Sequence, residues 1–427
     1  MVIYVVQQGD TLYKIAQRFG VTVQKLADDN ELTTPDKLAI GQDIVVNVDT
    51  IPHTVVRGDT MWKLSRAYGV DFNTLLSANP NITNPNNISI GDVINIPTTE
   101  PKTDIEVNGY AIANIRQDVL NKTLPNLTYL AIFSYQARED GSMYILYEQQ
   151  LINTARQQNV APLMVLTNIG ESGGFDSELA HTILSNDAIS QTLINNIVST
   201  LQSKNYYGVD IDFEYIYPQD KQLYINFLQK LKNTISPLGY SLSVAVAPKY
   251  SGTQAGILYE AHDYEQIGKI ADRVIIMTYE WGYMYGPPMA VAPYTEVRKV
   301  IQYATSVIPS NKILMGMPNY AYDWTLPYVQ GSAAMTLSNN SARQLAIDTG
   351  STIRFDNSAQ APYFNYVDNA GNSHIVWFEN ARSVQARLQL VNEFDLAGIS
   401  YWTVNAYNNV MYLVLNSMFN VIKVLDK

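Results

Sequence analysis

Two stretches near the N-terminus share one order of apolar and polar positions. Tyr4–Asn30 (YVVQQGDTLYKIAQRFGVTVQKLADDN) aligns with His53–Asn79 (HTVVRGDTMWKLSRAYGVDFNTLLSAN) at a shift of 49 residues, and Leu38–Asn47 (LAIGQDIVVN) aligns with Ile88–Pro97 (ISIGDVINIP) after one inserted residue. Each copy opens with a short alternating strand, Tyr4–Val6 or Thr54–Val56, that runs into Gly-Asp-Thr. Asp10 or Thr11, and likewise Asp59 or Thr60, can cap the helix that follows. Apolar residues at Leu12, Ile15, Ala16 and Phe19 fall on one helical face. A second helix and a closing strand complete each unit, which predicts βααβ modules over 2–47 and 51–97. The polar, proline-bearing stretch from Pro97 to Asp104 reads as a linker, so 98–104 is set between the modules and the remainder of the chain.

From Ile105 onward the pattern changes to short apolar runs alternating with amphipathic stretches. The runs are IEVNGYAIA, LTYLAIFSY, APLMVLTNI, YGVDIDFEY, LSVAVAP, DRVIIMTYE, KILMGMPNY and LAGISYWTV, and helical patterns such as DAISQTLINNIVSTLQSKN and DKQLYINFLQKLKNTI separate most of them. Eight βα units predict an α/β fold, a (β/α)8 TIM barrel over 105–427. Residues from about 321 to 380 exceed one loop and contain a hairpin pattern around Asn-Ala-Gly; they are expected to form a small α+β insertion between the seventh strand and the last helix.

One run breaks its own apolar character. In Gly208–Ile216 (GVDIDFEYI) the acids Asp210, Asp212 and Glu214 occupy alternate positions. Alternation puts them on one face of a strand, with Val209, Ile211 and Phe213 on the other. In a barrel the apolar set packs on the helices, and the acids rise inside toward the C-terminal mouth, where barrel enzymes do chemistry. Carboxylates this close cannot all ionise, so one should keep a proton near neutral pH. A protonated carboxyl beside an ionised one suits acid-catalysed cleavage of a glycosidic bond. The bland alternative, a buried acid ladder without catalysis, costs several kcal/mol unless fully hydrogen-bonded.

Composition narrows the field. The chain has 427 residues, 47% of them hydrophobic, and a net charge of −11 without a basic run, which argues against a nucleic-acid partner. There is no cysteine, so disulfides and thiolate chemistry are excluded. No apolar run is long enough for a membrane span, and the N-terminus is not expected to be a cleavable signal peptide. His53, His181, His262 and His374 show no metal spacing, and no nucleophile elbow or P-loop is present, so no metal and no cofactor are expected. The glycine-rich GESGG (Gly170–Gly174) has no lysine and reads as a loop after the third strand.

The GDT turn, the IGQ/IGD turn and the intervening Asn make each N-terminal module resemble the LysM module, which binds N-acetylglucosamine-containing glycans; Asp10, Thr11, Asp59 and Thr60 are the candidate contacts. The barrel resembles glycoside hydrolase family 18, whose fourth strand ends in D-x-x-D-x-D-x-E. Asp210, Asp212 and Glu214 fill the last three places, and Tyr207 stands at the first. IIMTYE (Ile275–Glu280) matches the family's sixth strand and brings in Met277, Tyr279 and Glu280, while GISYWTV (Gly398–Val404) puts Trp402 where the family has a floor aromatic. The resemblance implies that Glu214 is the general acid and that the sugar's own 2-acetamido group attacks. Asp212 would orient that group, Asp210 would support Asp212, and Tyr279 would hold the acetamido oxygen. Tyr110, Trp281, Tyr283, Tyr285, Tyr320 and Trp324 lie near strand ends, where position alone does not select sugar contacts. Tandem N-terminal LysM modules ahead of this barrel further resemble the bacterial spore cortex-lytic enzymes. That implies an N-acetylglucosaminidase acting on cortex peptidoglycan at the spore coat and cortex surface. A chitinase or general cell-wall glucosaminidase is the alternative enzyme, and a non-catalytic glycan-binding protein the alternative of another class. The sequence is silent on oligomeric state.

Overall fold

A computed structural model describes residues 1–98 and 102–425; positions 99–101 of the expected linker lie outside them. Each N-terminal module is a two-stranded antiparallel ribbon over two helices. In the first, Val2–Val5 pairs with Asp43–Val46, and in the second, Thr50–Thr54 pairs with Val93–Pro97. Both opening strands start earlier than the alternation predicts, because they pair through backbone groups rather than one buried face. The first helices, Leu12–Phe19 and Met61–Tyr68, are built identically. Thr11 and Thr60 accept the backbone N–H of Lys14 and Lys63 as N-caps, and Gly20 and Gly69 close the helices in the left-handed region. Leu12, Ile15, Ala16 and Phe19 are all buried, as their spacing requires.

The barrel strands are Thr103–Ile112, Tyr129–Gln136, Ala161–Thr167, Gly208–Asp212, Ser241–Val246, Arg273–Ile276, Ile313–Pro318 and Gly398–Trp402. Neighbours pair in parallel in this order, and strand 8 returns to strand 1 with Gly398 opposite Glu106 and Trp402 opposite Tyr110, so the sheet closes. Closure requires glycine at 398: a Cβ there would stand 1.8 Å from the Glu106 carbonyl oxygen. Strand 1 takes in Thr103 and Asp104, which the residue pattern assigns to the linker; Phe419–Val421 pairs with this added end. Alternation sorts the two faces. Leu163 and Val165 fill the barrel interior with Tyr110, Ala131, Ala245 and Ile275, whereas Met164 and Leu166 pack outward on the helices. At the N-terminal end the interior is sealed by an ion pair between Arg273 and Glu106, whose carboxylate also accepts from the Tyr129 hydroxyl at 3.2 Å.

The insertion is a five-stranded antiparallel sheet, Ser373–Trp377 in its middle, with the helix Asn339–Asp348. It leaves the barrel after strand 7, as expected. The helix that follows it, Ala381–Phe394, is however the penultimate one, because Asn409–Met418 comes after strand 8. The first module docks on this insertion and on the final helix. Among the described residues no helix is long and apolar enough to cross a membrane.

Candidate active site

Strand 4 places the acids as its alternation requires. Val209, Ile211 and Phe213 are buried against the helical layer, where Phe213 stacks on Tyr224 and Phe227 of the next helix, Lys221–Ile235, at ring-centroid distances of 6.2 and 6.0 Å. Asp210 and Asp212 point inward, and Glu214 emerges two residues beyond the last strand position. The ladder is graded by solvent. Asp210 is sealed: Tyr110 donates its hydroxyl to Oδ2 and Ser243 to Oδ1, both at 2.6 Å. Asp212 is buried, and its Oδ1 has no partner among the described residues. Glu214 is half-buried at the mouth. Tyr207, at the place where the family motif begins with Asp, packs on Tyr129 at 6.0 Å toward the N-terminal end of the barrel. The departure there leaves the mouth untouched.

Above the ladder lies an open cavity of about 220 Å³, lined by Asp212, Glu214, Met277, Tyr279, Glu280 and Trp402 together with Phe133, Phe175, Ala247, Pro248 and Leu258. Of Asp210, Asp212, Glu214, Met277, Tyr279, Glu280 and Trp402, all line it except Asp210, which lies one layer below. Trp402 forms the apolar floor, edge-on to Phe133 at 5.0 Å and Tyr110 at 5.4 Å. Glu280 sits at the rim, where the Tyr320 and Tyr322 hydroxyls donate to its carboxylate. The chain turns through the left-handed region directly after each acid-bearing or tyrosine-bearing strand end, at Tyr215 (φ 54°) and Glu280 (φ 68°). Such non-glycine conformations persist where the surroundings over-determine them, and they cluster at working sites.

Electrostatics follow from this burial. Desolvation raises the Asp212 carboxyl well above its usual range, and the charges of Glu214 and Asp210 add to the effect. Desolvation also lifts Glu214 to about 7. Tyr279 is pushed up by burial and by the Asp212 and Glu214 charges, so it stays a hydroxyl donor. The pair Asp212 and Glu214 therefore shares a proton near neutral pH.

Three supports escaped the sequence reading. Asn168, at the end of strand 3, clamps the loop that carries Glu214 from both sides: its Oδ1 accepts the Glu214 N–H and its Nδ2 donates to the Glu214 carbonyl, each at 2.9 Å. His262 is fully desolvated, which lowers it to about 4 and keeps it neutral. Its Nδ1 accepts the Ala247 N–H, so Nε2 carries the proton given to the Phe213 carbonyl, both at 2.9 Å. The third is the loop that reads as GESGG. Gly170–Phe175 folds as a hairpin, with Ile169 bridged to Phe175, and delivers Phe175 to the cavity. None of these positions carries a motif; only the pairing of distant strand ends reveals them. The strand-end aromatics divide likewise. Tyr110 serves Asp210, Tyr320 serves Glu280, Trp324 is buried with its Nε1 on the Gly286 carbonyl, and Trp281 donates to the Tyr250 hydroxyl. Tyr283 and Tyr285 remain exposed.

In the modules, the four candidate contacts are used by the local fold. Asp10 accepts from the Tyr4 hydroxyl and the Gln7 N–H, both at 2.7 Å, and Asp59 from His53 and the Val56 N–H, both at 2.9 Å. Thr11 and Thr60 are the helix caps described above.

Comparisons with known proteins agree with this fold. Residues 106–406 match the profile of the glycosyl hydrolases family 18, and residues 4–47 and 53–97 each match the LysM domain. The cortical fragment-lytic enzyme of Bacillus subtilis (strain 168) is 40% identical over 430 residues, 99% of either chain. The crystal structure of the Bacillus megaterium QM B1551 spore cortex-lytic enzyme SleL superposes with a TM-score of 0.91 at 40% identity, covering 99% of both chains. A chitinase from Chromobacterium violaceum shares the barrel fold, with a TM-score of 0.68 at 23% identity over 73% of this chain and 98% of its own.

Proposed function

The chain is a glycosidase of glycosyl hydrolase family 18 with two LysM domains ahead of its barrel, and from that premise we propose that it cleaves spore-cortex peptidoglycan on the reducing side of N-acetylglucosamine, with retention of configuration. The observation that carries this reading is the buried, unpartnered Oδ1 of Asp212 beneath a mouth carboxyl that keeps its proton to about 7. A buried acceptor without a donor is costly. A donor from the substrate would complete it, and the N–H of a 2-acetamido group is such a donor.

The chemistry then runs within one bound sugar. Glu214 gives its proton to the bridging oxygen as the C1–O bond breaks. The acetamido carbonyl oxygen bonds to C1, and the ring closes to an oxazolinium ion whose N–H is held by Asp212. Tyr279 holds the acetamido oxygen in line, and Trp402 carries the apolar face of the sugar. Glu214, now ionised, takes a proton from water as that water adds to C1, which reopens the ring with net retention. Joining nucleophile and electrophile in one molecule gives the proximity advantage of an intramolecular reaction, and this substrate-assisted route departs from the usual two-carboxylate scheme. Similarity to the spore enzymes supports the cortex as substrate and the coat and cortex surface as location.

The test is mass analysis of fragments released from isolated spore cortex and from pre-cut cortical fragments. The expected products end in reducing N-acetylglucosamine, and a substrate whose acetamido group is replaced by a free amine is not cleaved. Products ending in the muramic residue, or undiminished cleavage of the amine, overturn the reading.

A further inference from the structure

The two N-terminal modules differ at one edge. In each, the Gly-Asp-Thr loop and the Ile-Gly turn lie side by side. Gly41 N–H donates to the Val6 carbonyl and Gly91 N–H to the Val55 carbonyl, both at 2.9 Å. The paired loops present two left-handed glycines, Gly9 and Gly41 in the first module, Gly58 and Gly91 in the second. A glycine edge lets a ligand approach backbone groups closely. In the second module that approach is free among the described residues, since a Cβ on Gly58 or Gly91 would meet none of their atoms within 4 Å. In the first module Gly9 is equally open among the described residues, but the Ile-Gly side of the edge is filled: a Cβ on Gly41 would stand 1.9 Å from the Ile353 carbonyl oxygen of the barrel insertion.

The filling is a built interface. Ile353 N–H donates to the Ile40 carbonyl at 2.8 Å. Arg382 donates Nε and its backbone N–H to the buried Asp43 carboxylate at 2.7 and 3.0 Å, and stacks over Phe355 at 4.1 Å. The Glu31 carboxylate accepts from Asn340 Nδ2 at 3.0 Å and from the Asn409 N–H at 2.7 Å. At the matching positions of the second module stand Pro80 and Val93, which can make neither contact. There Ile90 is 72% exposed, against 43% for its counterpart Ile40.

We propose that the modules divide their work: the first is a strut clamped to the insertion, and the second alone offers its loop edge to the glycan. The ligand class is a β-linked chain of N-acetylated hexosamine, whose hydroxyl and amide groups suit the open backbone at Gly58 and Gly91 and whose acetyl methyl groups suit Ile90. The identification of that ligand rests on the proposed function. One consequence is that the modules bind monovalently, without the gain that two linked sites would give.

The experiment measures retention of the full chain on insoluble peptidoglycan sacculi in a Glu214→Gln background, which removes turnover. Ile90→Asp and its mirror Ile40→Asp make the same charge change at exposed side chains. Ile90→Asp is expected to weaken retention at least tenfold, and Ile40→Asp to leave it within twofold. Equal effects of the two, or no effect of Ile90→Asp, overturn the proposal. Arg382→Ala provides an independent arm, read alongside the melting temperature. By releasing the first module's edge it is expected to tighten retention several-fold, and a released module that adds nothing overturns the claim that docking occludes it. If the mirrored asymmetry holds while cortex cleavage fails, the catalytic reading is wrong and this one stands; if cleavage holds and the asymmetry fails, the reverse.

Discussion

As the proposed acid, Glu214 meets two opposing demands: it must keep a proton near neutral pH, and it must sit where a substrate can reach it. Half-burial meets both, lifting it to about 7. The acid limb of catalysis should therefore fall away as pH rises through about 7, seen as the upper limb of a pH–rate profile. Glu214→Gln should reduce turnover by about three orders of magnitude or more, with retention on sacculi kept. The same burial costs stability, and the sign is definite. A carboxyl whose folded value is raised binds more protons folded than unfolded, so stability falls as pH climbs from about 4.5 to about 7. Removing the charge in Glu214→Gln should then stabilise the fold above pH 7 by on the order of 2 kcal/mol, measurable by denaturant melts at two pH values. A variant no more stable at pH 8 than the parent would refute the buried-acid account. Asn168→Ala tests positioning rather than chemistry. It frees the Glu214 backbone on both sides, and kcat should drop about 10- to 100-fold with KM little changed. A loss confined to KM would assign Asn168 to substrate binding instead.

Strands were the elements most legible in the sequence, because period-two alternation is written directly in residue type. The inward set of strand 4 could be named from spacing alone. Element ends were less so. Strand 1 begins at Thr103 because a late strand, Phe419–Val421, gives it a partner that no local pattern announces. GESGG reads as any glycine-rich loop, yet its hairpin brings Phe175 over the ladder. Closure of the sheet depends on Gly398, where strand 8 meets strand 1. Gly398→Ala forces a methyl into the Glu106 carbonyl and should cost about 3 kcal/mol or more, read as a lowered melting midpoint and a poor yield of folded chain. Unchanged melting would mean that the strands separate more easily than the pairing implies.

At the scale of the molecule, a hydrogen-bonded joint connects the first LysM domain to the family 18 barrel. The joint joins residues more than 300 positions apart, Asp43 to Arg382 and Glu31 to Asn340 and Asn409. Its hydrogen bonds fix the first module against the barrel, while the second forms its own small core around Met61, Leu64 and Leu75. That arrangement predicts a catalytic unit whose reach over an insoluble polymer is set by the second module, and the mirrored variants at Ile90 and Ile40 measure it.

By itself the sequence determined the repeat, the eight alternating runs and the acid ladder, since periodicity and local capping are properties of neighbouring residues. It could rank Asp210, Asp212 and Glu214 only by order along the chain. Tertiary structure decided which of them is sealed and which is open, that Tyr110 and Ser243 satisfy the lowest, that Asn168 and His262 hold the loop, and that one module's Ile-Gly turn is covered while its twin's is open among the described residues. Those outcomes depend on burial and on contacts between strand ends and loops far apart in sequence, and a group's solvation and partners are fixed only when the chain is closed upon itself.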